Sequence, residues 1–72
     1  MAKSFYDFIV RSVDYGANDP MSRLANAVHR DQGFPKRATG FDEISTYMEN
    51  SPHYTRLMTI FDDAWQKYEY FN

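Results

Sequence analysis

Apolar residues recur at steps of three and four along the last third of the chain. Leu57, Ile60, Phe61, Ala64, Trp65, Tyr68 and Phe71 fall on one face of a helix, and Thr59, Asp62, Asp63, Gln66, Lys67 and Glu69 fall on the other. The spacing predicts a helix over residues 59–71. A stripe this aromatic must be covered, so the remaining helices are expected to bury Trp65.

The same period appears upstream in shorter pieces. Phe5, Phe8, Ile9 and Val13 follow Ser4, with Asp7 three positions after the serine as in a capping box, which predicts a helix over residues 5–15 closed by Gly16 in the left-handed conformation. Asn18-Asp19-Pro20 then restarts a helix, with Asp19 as N-cap and Pro20 in the first helical position. Met21, Leu24, Ala25 and Val28 form its inner face to about Gln32, while Ser22, Arg23, Asn26, His29 and Arg30 are assigned to the outer face. Gly33 ends it, Phe34 folds back onto Val28, and Pro35 blocks continuation. Thr39 with Asp42 reads as the N-cap of a short helix carrying Phe41, Ile44, Tyr47 and Met48, which Asn50-Ser51-Pro52 breaks. From Pro52 onward the chain is either one long helix or two segments. A second possible cap, Thr59 with Asp62, favours two. No strand-like alternation with hairpin turns occurs. The fold expected is an all-α bundle of four to five short helices in a single domain.

Composition changes this picture in two ways. A chain of 72 residues without cysteine has neither a disulfide framework nor a thiolate metal site, so it must hold itself together by packing. Its six Tyr, six Phe and one Trp supply that packing, since each buried ring removes roughly 150–250 Å² from water. No apolar run approaches the roughly 20 residues that span a bilayer, and no signal sequence is legible, so a soluble cytoplasmic protein without membrane partners is expected. Charge is uneven around a net −2. Residues 1–40 carry six basic and four acidic groups, residues 41–72 two and six, so the halves differ in sign and a monomer or weak self-association is expected.

Several of these residues together resemble a known family. Ser4-Phe5-Tyr6 with Phe8, Phe34-Pro35-Lys36, Tyr47, Ile60-Phe61-Asp62, Ala64-Trp65 and Tyr68 make the sequence look like the YozE-like family, small bacterial proteins with a fold similar to the sterile alpha motif. The resemblance covers almost the whole chain. It implies a SAM-like bundle of four or five helices with a long last helix, in agreement with the periodicity, and it brings no catalytic residues. Likeness to the sterile alpha motif implies protein or RNA binding by analogy of fold alone.

Candidate chemistry is sparse. His29 and His53 lack a second ligand at metal-site spacing, so no metal and no cofactor are expected. Asp62 and Asp63 point about 100° apart on a helix and read as a cap and an Asp63–Lys67 surface pair rather than a catalytic dyad. No nucleophile motif surrounds any serine, and no glycine loop suits phosphate. The chain is therefore not expected to be an enzyme. A basic group, Arg23, Arg30, Lys36 and Arg37, is a candidate nucleic-acid contact, although Asp42 and Glu43 at the start of the third helix would repel phosphate. Tyr6, Val10, Tyr54 and Tyr70 lie off the main stripes and are candidates for a protein interface. The leading expectation is a non-enzymatic module with a protein partner; a nucleic-acid-binding module is the alternative.

Overall fold

Every regular element in the computed structural model, which describes residues 4–71, is helical: α1 (Phe5–Ile9), α2 (Pro20–Arg30), α3 (Phe41–Glu49) and α4 (Met58–Phe71). A 3-10 turn, Val10–Ser12, extends α1, and a second 3-10 segment, Pro52–Leu57, runs into α4. Met58 at the junction keeps right-handed helical angles, so residues 52–71 form one continuous rod that only changes its winding. Thr59 lies inside that rod and caps nothing. The radius of gyration is 11.0 Å, close to the roughly 11 Å of a globular chain of this length, so no helix stands away from the rest.

Capping accounts for the two best-defined starts. The Ser4 hydroxyl accepts the Asp7 N–H at 3.2 Å and donates to the Lys36 carbonyl at 2.7 Å, so one buried side chain starts α1 and ties it to a loop thirty-two residues away. Asp19 caps α2 through both carboxylate oxygens: Oδ2 accepts the Ser22 N–H at 3.1 Å and Oδ1 accepts the Ser22 hydroxyl at 2.8 Å. These bonds from Ser22 hold the Asp19 carboxyl below its usual range. Pro20 occupies the first turn as expected.

Five sequence expectations need correction. The first helix does not reach Tyr15 but tightens at Val10 and ends at Val13, where the backbone is extended. The reason is tertiary: Asn26 of α2 takes both backbone groups of Asp14, accepting its N–H at 2.9 Å and donating to its carbonyl at 3.0 Å. Asn26 and Ser22 are accordingly buried rather than on the outer face of α2. Gly16 and Gly33 do not adopt left-handed angles. Each instead follows an aspartate in an Asp-x-Gly turn, its N–H donating 3.0 Å to the carboxylate of Asp14 or Asp31. Finally, Gly40 rather than Thr39 is the N-cap of α3, which starts without a side-chain cap, and Phe71 is exposed instead of buried.

The core has two aromatic groups. In one, Trp65 is covered on several sides, with ring centroids 4.9 Å from Tyr68, 5.5 Å from Phe5 and 5.5 Å from Phe41, while Phe5 meets Phe61 edge-on at 5.4 Å. In the other, Phe34 packs edge-on against Tyr47 at 5.6 Å and Tyr54 at 6.4 Å, and Tyr6 lies 6.0 Å away. Leu24, Ala25, Val28, Ile44 and Met48 fill the space between, all without exposed surface. The last helix thus buries its stripe as expected, but the loop residue Phe34 is the centre of a second group.

Candidate functional site

Asp31, just beyond the last turn of α2, organises one of the concavities of the surface. Its Oδ2 accepts the hydroxyls of Tyr47 at 2.7 Å and Tyr54 at 2.8 Å, and its Oδ1 accepts the Gly33 N–H. One carboxylate therefore clamps the end of α2 to α3 and to the 3-10 segment. Partial burial pushes the Asp31 carboxyl up, but the two tyrosines, the Gly33 N–H and the charge of His53 outweigh it and hold the group below the usual carboxylate range. Burial first, then the Asp31 contact, pushes the Tyr54 hydroxyl up; for Tyr47 the Asp31 hydrogen bond is the larger cause. All three groups thus keep, at neutral pH, the protonation states the clamp requires.

Around the clamp lies an open cleft of about 630 Å³ lined by Ala27, Arg30, Asp31, Gln32, Gly33, His53 and Tyr54. Arg30 is held over the ring of Tyr15 at 5.2 Å, and its Nε donates to the Asn26 carbonyl at 3.4 Å. The Tyr15 hydroxyl lies 2.7 Å from His29 Nδ1. A carboxylate with three hydrogen bonds already made has little capacity left for general-base work, and no serine lines the cleft. Chemically the cleft offers one cation, Arg30, beside the committed carboxylate of Asp31, with the side chains of Gln32 and His53 among its polar lining. Among the described residues, no group of three His, Asp or Glu side chains is arranged to hold a metal ion, and no helix is long and apolar enough to cross a membrane.

The basic candidates do not line one common cleft. Arg30 lines the Asp31 cleft, whereas Lys36 and Arg37 line another of about 440 Å³ with Ser4, Tyr6 and Asp7, the Lys36 ammonium 5.6 Å above the Tyr6 ring. Arg23 is exposed on α2 and lines neither of these two clefts. Of the aromatic candidates, Tyr54 has no exposed surface and so offers none to a partner: its ring packs on Phe34 and its hydroxyl is spent on Asp31. Tyr6 and Val10 are half-buried against the core. Tyr70 is 82% exposed, and its ring stands perpendicular to that of Phe71 at 4.9 Å. Asp63 pairs with Lys67 at 3.5 Å on the surface of α4, as the spacing predicts.

Sequence reasoning missed Asp31, Tyr15 and the cleft beside them. The Asp-x-Gly pattern at residues 31–33 was the available signal for the turn, but nothing in the sequence announces tyrosine partners sixteen and twenty-three residues away.

Comparison with known proteins agrees with this architecture. The family model described as "YozE SAM-like fold" matches residues 4–70. UPF0346 proteins are similar along nearly their whole length: one from Bacillus velezensis is 40% identical over 93% of this chain and 90% of its own. One from Bacillus licheniformis is 42% identical over 92% and 90%, and one from Limosilactobacillus reuteri 43% identical over 94% and 93%. None of these names carries an activity. No solved structure matches the chain. The capped, aromatic-cored four-helix arrangement and the match along almost all of its residues place this chain in the YozE SAM-like fold family of small bacterial proteins.

Proposed function

We propose that this chain is a non-enzymatic binding module that acts through a protein interface. The observation that carries the reading is the end of α4, where Tyr70 and Phe71 are 82% and 67% exposed while Trp65 and Tyr68 anchor the same helix in the core. Two adjacent rings on a rigid, anchored helix lose little conformational freedom on binding. Covering roughly 150 Å² of apolar surface on each, at about 25 cal/mol per Å², contributes on the order of 4 kcal/mol per ring before the costs of association. Aromatic side chains are enriched at interfaces for this reason. The commitment of Asp31 to structural hydrogen bonds supports binding rather than catalysis at its cleft.

The test compares affinity capture from bacterial extract by the wild-type chain and by a Tyr70→Ser, Phe71→Ser double variant with unchanged helical circular dichroism. A protein retained by the first and lost by the second is expected; equal retention refutes the role of the helix end. In parallel, the labelled chain is titrated with mixed-sequence DNA and RNA at low and higher salt and followed by amide NMR. Salt-sensitive shifts at Arg30, Lys36 and Arg37 would replace the protein-interface reading with nucleic-acid binding.

A further inference from the structure

We infer that the chain associates with itself head to tail, α2 of one copy lying antiparallel along α4 of the next. The inference rests on the reading of the chain as a protein-binding module and names the partner of its α4 surface: a second copy of the same chain.

The two helices carry one spacing with opposite sign. Arg23, Ala27 and Arg30 stand at i, i+4 and i+7 on α2, and Asp62, Gln66 and Glu69 at i, i+4 and i+7 on α4, so each triplet forms a stripe about 10.5 Å long. Arg23, Arg30, Asp62 and Glu69 are all exposed. Among the described residues the single ion pair is Lys67 with Asp63, so none of the four is paired within its own molecule. The sign of each stripe survives its neighbours. Asp19, one turn before Arg23, leaves the α2 stripe positive, and Asp31 lies past the helix end with its carboxylate taken by Tyr47, Tyr54 and the Gly33 N–H. On α4, Asp63 and Lys67 cancel each other. One chain therefore carries both halves of a complementary pair of helix faces, and the halves can meet only between copies.

Antiparallel docking suits these faces. It sets the positive N-terminal end of each helix beside the negative C-terminal end of the other. Arg23 then faces Glu69, Arg30 faces Asp62, and the small Ala27 leaves room for Gln66 between them. The register carries Asp19 beyond the end of the partner's α4, where no carboxylate of the stripe opposes it. It also brings the exposed Tyr70 to the first turn of α2, where Pro20 and Met21 border a recess of about 380 Å³ with Ile60. A contact of α4 with α4, or of α2 with α2, would instead set like charges together. Because α2 and α4 are different surfaces, the contact is heterologous and builds open chains or a ring rather than a two-fold dimer. Exposed ion pairs are individually weak and are screened by salt, so the association is weak and tightens at low ionic strength.

The experiment is sedimentation velocity of the full chain over a concentration series up to about 1 mM, the range weak interfaces require, at low and at high salt. The mean sedimentation coefficient should rise with concentration at low salt and return to the monomer value at high salt. Arg23→Glu should weaken the association by about threefold or more, and so should Glu69→Arg. A chain carrying both swaps keeps the wild-type net charge of −2 and should recover to within about twofold of the wild type. Arg23→Glu with Asp62→Arg has the same net charge but mismatches the register, and should not recover. Arg30 is left in place because it is held over Tyr15, so the swaps touch only exposed side chains. Should a swapped chain not fold, Arg23→Gln and Glu69→Gln serve, each weakening association in the same direction. A chain that stays monomeric at low salt, association indifferent to Arg23 and Glu69, or recovery with Asp62→Arg in place of Glu69→Arg overturns the inference. If the chain stays monomeric while capture still depends on Tyr70 and Phe71, this inference falls and the protein-interface reading stands. If capture is equal for both baits while association follows Arg23 and Glu69, the role of the helix end falls and the contact between stripes stands.

Discussion

Replacing Asp31 by alanine should destabilise the fold far more than its place outside any helix suggests. The substitution removes the acceptor of two charge-assisted hydrogen bonds, from Tyr47 at 2.7 Å and Tyr54 at 2.8 Å. Such bonds contribute about 1.5–3 kcal/mol each, and a buried donor left unpaired costs about 1–3 kcal/mol. Tyr47 is half-exposed and regains most of its loss through water; Tyr54 has no exposed surface and does not. Asp31→Ala is therefore expected to cost about 3 kcal/mol, a large share of the roughly 3–5 kcal/mol a core of this size supplies. Tyr54→Phe leaves Asp31 with two donors and should cost about 1.5 kcal/mol. In the double variant neither group is orphaned, so its cost should fall short of the sum by about 1–2 kcal/mol. Urea denaturation read by Trp65 fluorescence and far-ultraviolet circular dichroism measures this. With a slope of about 1 kcal/mol per molar, 1.5 kcal/mol moves the midpoint by about 1.5 M. Strictly additive costs, or an Asp31→Ala cost within about 0.5 kcal/mol of zero, would refute the account of the clamp.

The clamp also predicts how stability varies with pH. Asp31 is held below the usual carboxylate range, so the folded chain binds fewer protons there than the unfolded one. Its contribution is present above about pH 4 and is lost as pH falls through the folded value, and Asp31→Asn should flatten that limb of a denaturation series. Tyr47 and Tyr54 are raised, so their contribution is present below about pH 10 and declines as pH rises beyond it; Tyr54→Phe should reduce the alkaline decline. Trp65→Ala should cost about 3–5 kcal/mol, since the ring is nearly buried among Phe5, Phe41, Phe61 and Tyr68, and an unchanged melting temperature would refute the packing of α4. Asn26→Ala should cost about 2 kcal/mol and speed hydrogen exchange at Asp14, whose N–H it frees. Gly40→Ser should stabilise by about 0.5–1 kcal/mol, because a Cβ meets nothing within 4 Å and the serine supplies the cap that α3 lacks.

What the sequence determined by itself was local and periodic. The stripe of Phe61, Ala64, Trp65 and Tyr68 and the caps at Ser4 and Asp19 depend on residues within one or two turns of each other, and each formed as its spacing required. The aromatic end of α4 is legible only in part: the period leaves Tyr70 off the stripe but places Phe71 on it, because periodicity counts positions and cannot see that the core ends first. The tertiary structure decided what lies between the helices. Asn26 looks like a solvent-facing residue until its amide meets the backbone of Asp14 and cuts the first helix short. Tyr54 looks like a free aromatic until Asp31 and Phe34 claim its two ends. Arg23, Arg30, Lys36 and Arg37 read as one basic group along the chain, yet Arg30 and the Lys36–Arg37 pair line different clefts, because the loop after α2 carries its lysine across to the start of α1. Hydrogen bonds between polar groups far apart in sequence leave no period behind. For that reason the pattern of apolar positions specified the helices and their buried faces, whereas the cleft at Asp31 exists only once those helices have packed.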